Sequence, residues 1–233
     1  ETEDEQYGFS FGGPIVRDLL HYFVTYEKKE ILSPRDIIPG ENFQASQLPP
    51  EYASQVGPTN SPFDLDLFFG KLSFAPGDEH LFELTAKYRT ESEITGIGGT
   101  NARSYASSKD NDETRIDLRH QFSGASFLND AHLTFEDAYW NPRPLTLGNG
   151  SRLTTADRRG ILNIGGGQDF QDKGQRGIGF QNDLTYFDFA WQGDHTIKAG
   201  VKYKAVRVDA FEQQPYNPQF FYDISQSTRA VSR

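Results

Sequence analysis

The stretch DHTIKAGVKYK, Asp194 to Lys204, puts Ile197, Ala199, Val201 and Tyr203 on one parity and Lys198, Gly200, Lys202 and Lys204 on the other. Side chains of a strand alternate between the faces of its sheet, so this pattern demands two different environments on the two sides of one sheet. Seven other segments repeat it. The expected strands fall near residues 7–12, 19–27, 63–75, 81–91, 113–122, 131–140, 178–191 and 195–208, and no credible helical period competes with them. Segment 63–75 changes parity, from Leu65, Leu67 and Phe69 to Leu72 and Phe74, which predicts a bulge near Phe68 to Gly70.

The connections narrow the choice further. Short turns at Gly13 to Asp18, Pro76 to His80, Ser123 to Asp130 and Gln192 to Asp194 alternate with long stretches near 28–62, 92–112 and 141–177 and from Asp209 onward. If the strands run up and down, every long connection emerges on one side, which is the plan of a bacterial outer-membrane barrel. A soluble sandwich does not collect its long loops at one end, and its strands are shorter. Aromatics sit where two interfacial girdles would fall: Phe74, Phe82, Phe122, Phe127 and Trp191 near the short turns, and Tyr26, Tyr88, Tyr139 and Trp140 near the long loops. No run reaches the roughly 18 apolar residues of a membrane-crossing helix, a test to which barrel strands are blind.

The fold class expected is therefore all-β: an antiparallel up-and-down transmembrane barrel, of which residues 1–233 supply about eight strands of one domain. In such a barrel the apolar parity meets lipid and the polar parity lines the lumen. Leu84, Ala86, Ile116, Leu118, Phe187, Phe189, Ile197, Ala199 and Val201 are the expected lipid-facing residues. Glu83, Lys87, Arg89, Arg115, Asp117, Arg119, Asp188, Lys198, Lys202 and Lys204 are the expected lumen-lining ones. A three-residue turn at Gln192 to Asp194 would set Ile197 against Phe189 and Lys198 against Asp188, keeping both charges out of lipid. Two other readings fit parts of the pattern: a complete eight-stranded barrel with an adhesin or structural role, and a soluble extracellular binding domain wet on one face.

Composition removes other classes. The formal charge of −10 argues against a nucleic-acid partner, and the absence of cysteine rules out disulfides and thiolate metal sites. The chain starts at Glu1 with no Met and no charged-then-apolar leader, which reads as a mature form or a piece of a longer chain. The five histidines are scattered, no serine sits in a nucleophile elbow, and no catalytic residue or cofactor is expected. Asp110, Asp112 and Glu113 offer hard oxygen ligands at close spacing, but their pattern fits a solvated acidic turn better than a calcium loop. Gly96, Gly98 and Gly99, and the run Gly165 to Gly167, open no helix and read as flexible loop glycines. In the final loop Tyr216, Asn217, Phe220, Phe221 and Tyr222 form the densest aromatic cluster and are the candidates for substrate contact.

The stretch Tyr7 to Glu27, YGFSFGGPIVRDLLHYFVTYE, resembles the Gly-Gly-Pro-Ile hairpin and following aromatic strand of TonB-dependent outer-membrane receptors, in particular their Oar-like branch. Gly12, Gly13, Pro14 and Ile15 carry the match, and Tyr26 and Glu27 close it. FFGKLSFAPGDEHLFELTAKYR, FSGASFLNDAHLTFED, DHTIKAGVKYK and YNPQFFYDI are similar to the barrel region of the same group. The resemblance implies a barrel of about 22 strands closed by a plug domain. It also implies import of a scarce or bulky substrate, driven by the inner-membrane TonB complex. The partners it implies are outer-membrane lipid, the rest of the barrel with its plug, and that complex. This sequence departs from a whole receptor: it has no plug, no TonB box and too few strands, and it ends in a polar loop at Ser232 and Arg233. A segment of a larger receptor is the expectation.

Overall fold

A computed structural model describes residues 2–225 and the short strand at 231–232. Eight long strands form one antiparallel sheet in chain order: β1 (Glu3–Val16), β2 (Leu20–Ile37), β3 (Gly57–Phe74), β4 (His80–Thr95), β5 (Ser107–Ser123), β6 (Phe127–Pro144), β9 (Phe170–Ala190) and β10 (Asp194–Gln213). Each pairs with its predecessor in the sheet; β1 and β10 are its edges and do not pair with each other. Between β6 and β9 the chain makes β7 (Gly150–Thr154) and β8 (Gly160–Gly165), and after β10 come β11 (Gln219–Asp223) and β12 (Val231–Ser232). These four build a separate sheet in the order β12-β11-β7-β8.

All eight expected strands are present and all are longer than expected, mostly toward the long connections. There the alternation stops: Lys28, Glu30, Asp64 and Asp66 stand on the parity that carries Tyr22, Val24 and Tyr26 further down. The ladder itself does not need apolar side chains, because backbone N–H and C=O groups pair whatever the side chains are. Periodicity marks only the part of each strand where the two faces meet different surroundings.

Register confirms one sharp division of faces. Phe74 opposes Phe82, Leu72 opposes Leu84, and Gly70 opposes Ala86; Leu84 and Ala86 in turn oppose Leu118 and Ile116. The row continues through Leu133 and Phe135 to Phe180 and Ile178, and on to Tyr203 and Ala205. No described residue covers this apolar face: Leu133 and Ile178 are 55% exposed, Val201 58% and Tyr203 63%.

Three local expectations fail. The bulge near Phe68 to Gly70 does not exist, since β3 pairs with β2 and β4 without a break there. Leu65, Leu67 and Phe69 instead share the charged face with Lys87, Arg89 and Glu91. The bulge lies in β9: His195 opposes Phe189 but Ile197 opposes Tyr186, so one extra residue of β9 is inserted. Lys198 therefore opposes Thr185, not Asp188, whose carboxylate accepts a hydrogen bond from Ser126 Oγ at 3.0 Å. Finally, Ser232 lies in β12 and is not in a loop; Glu1 and Arg233 fall outside the described residues.

The long connections are also folded. Ile161, Leu162, Leu153 and Ala102 are completely buried, and Ile37, Leu48, Ile97, Ala106, Ile164 and Ile224 complete a compact core among them. Backbone bonds stitch one connection to another: Gly40 N to Ile161 O at 2.8 Å, Ala102 N to Asn163 O at 2.9 Å and Ile224 N to Thr154 O at 3.0 Å. Leu162→Ala should cost this module about 2–5 kcal/mol, the range for emptying a fully buried leucine site. The check is amide hydrogen exchange: residues 97–106 and 150–165 should lose protection while the middle of β4 and β5 keeps it.

Candidate functional site

The face opposite the apolar one is a continuous polar wall. Arg119 on β5 is its hub, donating from Nε and Nη2 to both oxygens of Asp130 at 2.8 and 2.7 Å, and from Nη1 to Glu83 at 3.2 Å. Glu83 is also paired with Lys71. The two ring nitrogens of His132 lie 3.2 Å from Asp117 and Asp130, and Thr134 donates to Asp117 at 2.7 Å. Beyond them Glu136 is shared by Arg115 at 3.3 Å and Lys204 at 2.6 Å. Lys87 pairs with Glu113 at 3.3 Å, and Arg89 with Glu91. Most of these charges are paired, chiefly with a charge on the neighbouring strand, while Arg89–Glu91 lies within β4 and Lys204 reaches over β9 to Glu136.

Of the residues expected on the polar parity, Glu83, Lys87, Arg89, Arg115, Asp117, Arg119, Lys198, Lys202 and Lys204 share this face by register. Asp188 does not join them in an ion pair; it sits in the bulge of β9. Leu84, Ala86, Ile116, Leu118, Ile197, Ala199 and Val201 share the opposite face. The bulge brings Phe189 onto this same face opposite His195, ring to ring at 5.7 Å, while Phe187 lies inside the bulge. Trp140 belongs to the polar face, where Lys173 Nζ lies 5.3 Å from its ring. Asp110, Asp112 and Glu113 are in β5 and not in a loop, and alternation sends Glu113 to the face opposite the other two. No cluster of three metal-ligating side chains occurs among the described residues.

A notch interrupts the wall. Gly177 and Gly179 stand on its parity in β9, opposite Glu136 and Thr134 on one side and Val206 and Lys204 on the other. With no side chains there, the sheet leaves a cavity of about 290 Å³ lined by Arg115, Asp117, His132, Thr134, Glu136, Gln181, Lys202 and Lys204. His132, Thr134 and Glu136 were legible as one parity of segment 131–140, but the glycines fell at the edge of an expected strand and carried no signal of a floor.

The final-loop cluster divides. Asn217 is buried and clamps the module, donating to Gly167 O at 2.8 Å and Thr146 O at 3.2 Å and accepting from Gly148 N at 3.1 Å. Gly166 and Gly167 are packed against Asn217 and the Tyr105 carbonyl with no room for a Cβ, so this run is a tight seam and not a flexible loop. Tyr216 stacks on Phe170 at 4.6 Å, and Tyr222 packs on the module core. Tyr216, Phe220 and Phe221 are exposed, and Arg152 lies over the rings of Phe221 and Tyr105 at 5.4 and 5.8 Å. Burial pushes the Tyr105 phenol up, against the pull of the Arg152 guanidinium.

No family model matches the chain, and no curated protein matches it in sequence. Among solved structures it is similar to the outer membrane transporter YddB from Escherichia coli, with a TM-score of 0.65 and 14% identity over 99% of this chain. The chain spans 28% of that transporter's length. At this identity the likeness is one of fold: the eight-stranded sheet is a segment of an outer-membrane type of β-barrel.

The wall's hub makes a direct prediction. Arg119→Met should destabilise the sheet by about 1–3 kcal/mol, because Asp130 and Glu83 keep only their weaker partners. Arg119→Lys should recover only part of this, since an ammonium cannot span both oxygens of Asp130. Urea titration of the protein refolded in lipid vesicles measures both.

Proposed function

We propose that the chain is a wall segment of an outer-membrane transporter, with its apolar face in lipid, its charged face lining the lumen and its long-connection module outside the cell. The observation that carries this reading is the uncovered apolar face, continuous over eight strands and backed by a paired charged face. Water would not tolerate an apolar surface of that extent on a folded protein, whereas hydrocarbon requires it. The shared fold with a known outer membrane transporter supports transport over an adhesin role. A complete eight-stranded barrel would need β1 and β10 to pair, and both are open edges. Open edges of 14 and 20 residues call for further strands, which fits a larger barrel.

The resemblance of Gly12 to Ile15 and of the later strands to TonB-dependent receptors supports the finer reading. A scarce or bulky substrate enters past the outer module, a plug within the barrel gates the lumen, and the inner-membrane TonB complex supplies the energy. No catalytic step is assigned to any residue. Phe220, Phe221 and Arg152 are the side chains of the module best placed to meet a solute, since aromatics and arginine on a rigid support favour binding.

Two neighbouring residues test the facing. Val201→Arg should cost about 2–4 kcal/mol if the position lies near the bilayer midplane, and Lys202→Gln should leave folding nearly unchanged. Refolding titrations into vesicles measure both, and equal costs for the two would defeat the reading.

A further inference from the structure

The notch in the charged face combines three features: a glycine floor, a surplus of positive charge and a lysine that makes no ion pair among the described residues. Four strands contribute in register, so that Arg119, His132, Gln181 and Lys202 form one cross-strand row, Asp117, Thr134, Gly179 and Lys204 the next, and Arg115, Glu136, Gly177 and Val206 a third. Of the charged groups facing the cavity, Arg115, Lys202 and Lys204 outnumber Asp117 and Glu136 by one. That surplus stands out in a chain whose formal charge is −10.

The carboxylates are already committed. Glu136 is held by Arg115 and Lys204, and Asp117 by His132 and Thr134. Lys202 has Gln181 and Asn182 of β9 for neighbours in the ladder and Glu136 within Coulomb range, but it makes no hydrogen bond and no ion pair among the described residues. Arg115 keeps half of its side chain exposed while bonding Glu136 through one nitrogen, so its guanidinium has donors left over. The charge-assisted donors that remain, on Lys202 and Arg115, therefore line one cavity whose open floor is at Gly179, since the Val206 and Lys204 side chains reach over Gly177.

We propose that this notch binds the carboxylate or phosphate group of a small anionic solute, with Lys202 and Arg115 as donors and Gly179 as the floor against which it rests. The proposal rests on the reading that this face lines the lumen, and it names the solutes that the wall would retain: anionic ones. Glycine at 179 is a matter of space, not of backbone conformation, because an added Cβ would meet only Thr134 and the Tyr203 carbonyl at 3.8 Å. A larger side chain there would fill the notch while leaving every charge in place.

The test uses the full-length protein in detergent micelles with its lysines carrying 13C-methyl labels, titrated separately with succinate and with inorganic phosphate. Both probes are expected to shift the Lys202 methyl resonance, assigned by its loss in Lys202→Gln. Affinity measured at Lys204 should fall about tenfold in Lys202→Gln, the loss expected for one charge-assisted hydrogen bond. Gly179→Leu should abolish binding, and Lys29→Gln, on a distant strand, should leave it unchanged. Absence of any shift at Lys202, or equal affinity in wild type, Lys202→Gln and Gly179→Leu, would overturn the proposal. Because the chain has no cysteine, Lys202→Cys gives a clean control with a water-soluble maleimide. Labelling without anion binding refutes the site alone, whereas failure to label refutes the lumen reading beneath it.

Discussion

Backbone pairing between neighbouring strands makes every other feature of this sheet possible. From β2 to β9 each long strand has a partner on both sides, so the polar groups of its main chain are satisfied without water and without help from side chains. Side chains are then free to specialise by face. Leu84, Leu118, Leu133 and Phe180 line up on one side of the same ladder that holds Glu83, Arg119, His132 and Gln181 on the other. Charge pairing across strands is a consequence of the ladder: Arg119 reaches Glu83 on one neighbour and Asp130 on the other because register places them there.

The existence and order of the eight strands were legible because only a strand between two unlike surroundings sustains alternation over so many residues, and loop lengths indicated their direction. What was missed has physical causes. Strand ends beyond Tyr26 or Tyr88 carry polar residues on both faces, so they lose the period while keeping the ladder. The bulge in β9 is a backbone event: Phe187, Asp188 and Phe189 continue a plausible alternation across it, and nothing in the residue types marks the extra residue. A parity change in segment 63–75 looked like a bulge but is a real change of chemistry, with Leu65, Leu67 and Phe69 placed among charged neighbours. The folded module in the long connections was invisible because its core draws one to four residues from each of five stretches, from Ile37 to Ile224, far apart in the chain.

That module bears on function through rigidity. A set of independent loops would lose much conformational entropy on meeting a solute, whereas a shared core with Asn217 and the Gly165 to Gly167 seam fixes their relation beforehand. Phe220, Phe221 and Arg152 are then presented from a sheet and not from mobile ends. The notch floored by Gly177 and Gly179 follows the same logic one layer deeper, on the long strands themselves.

The proposed transporter role requires one face of this sheet to meet hydrocarbon and the other to meet water. Nitroxide labels placed singly at each position from 197 to 204, in vesicles, report it through collision rates with dissolved oxygen and with a water-soluble nickel chelate. A strict two-residue alternation is expected, with oxygen favoured at 197, 199, 201 and 203 and nickel favoured at 198, 200, 202 and 204. Uniform nickel accessibility at all eight positions would contradict it.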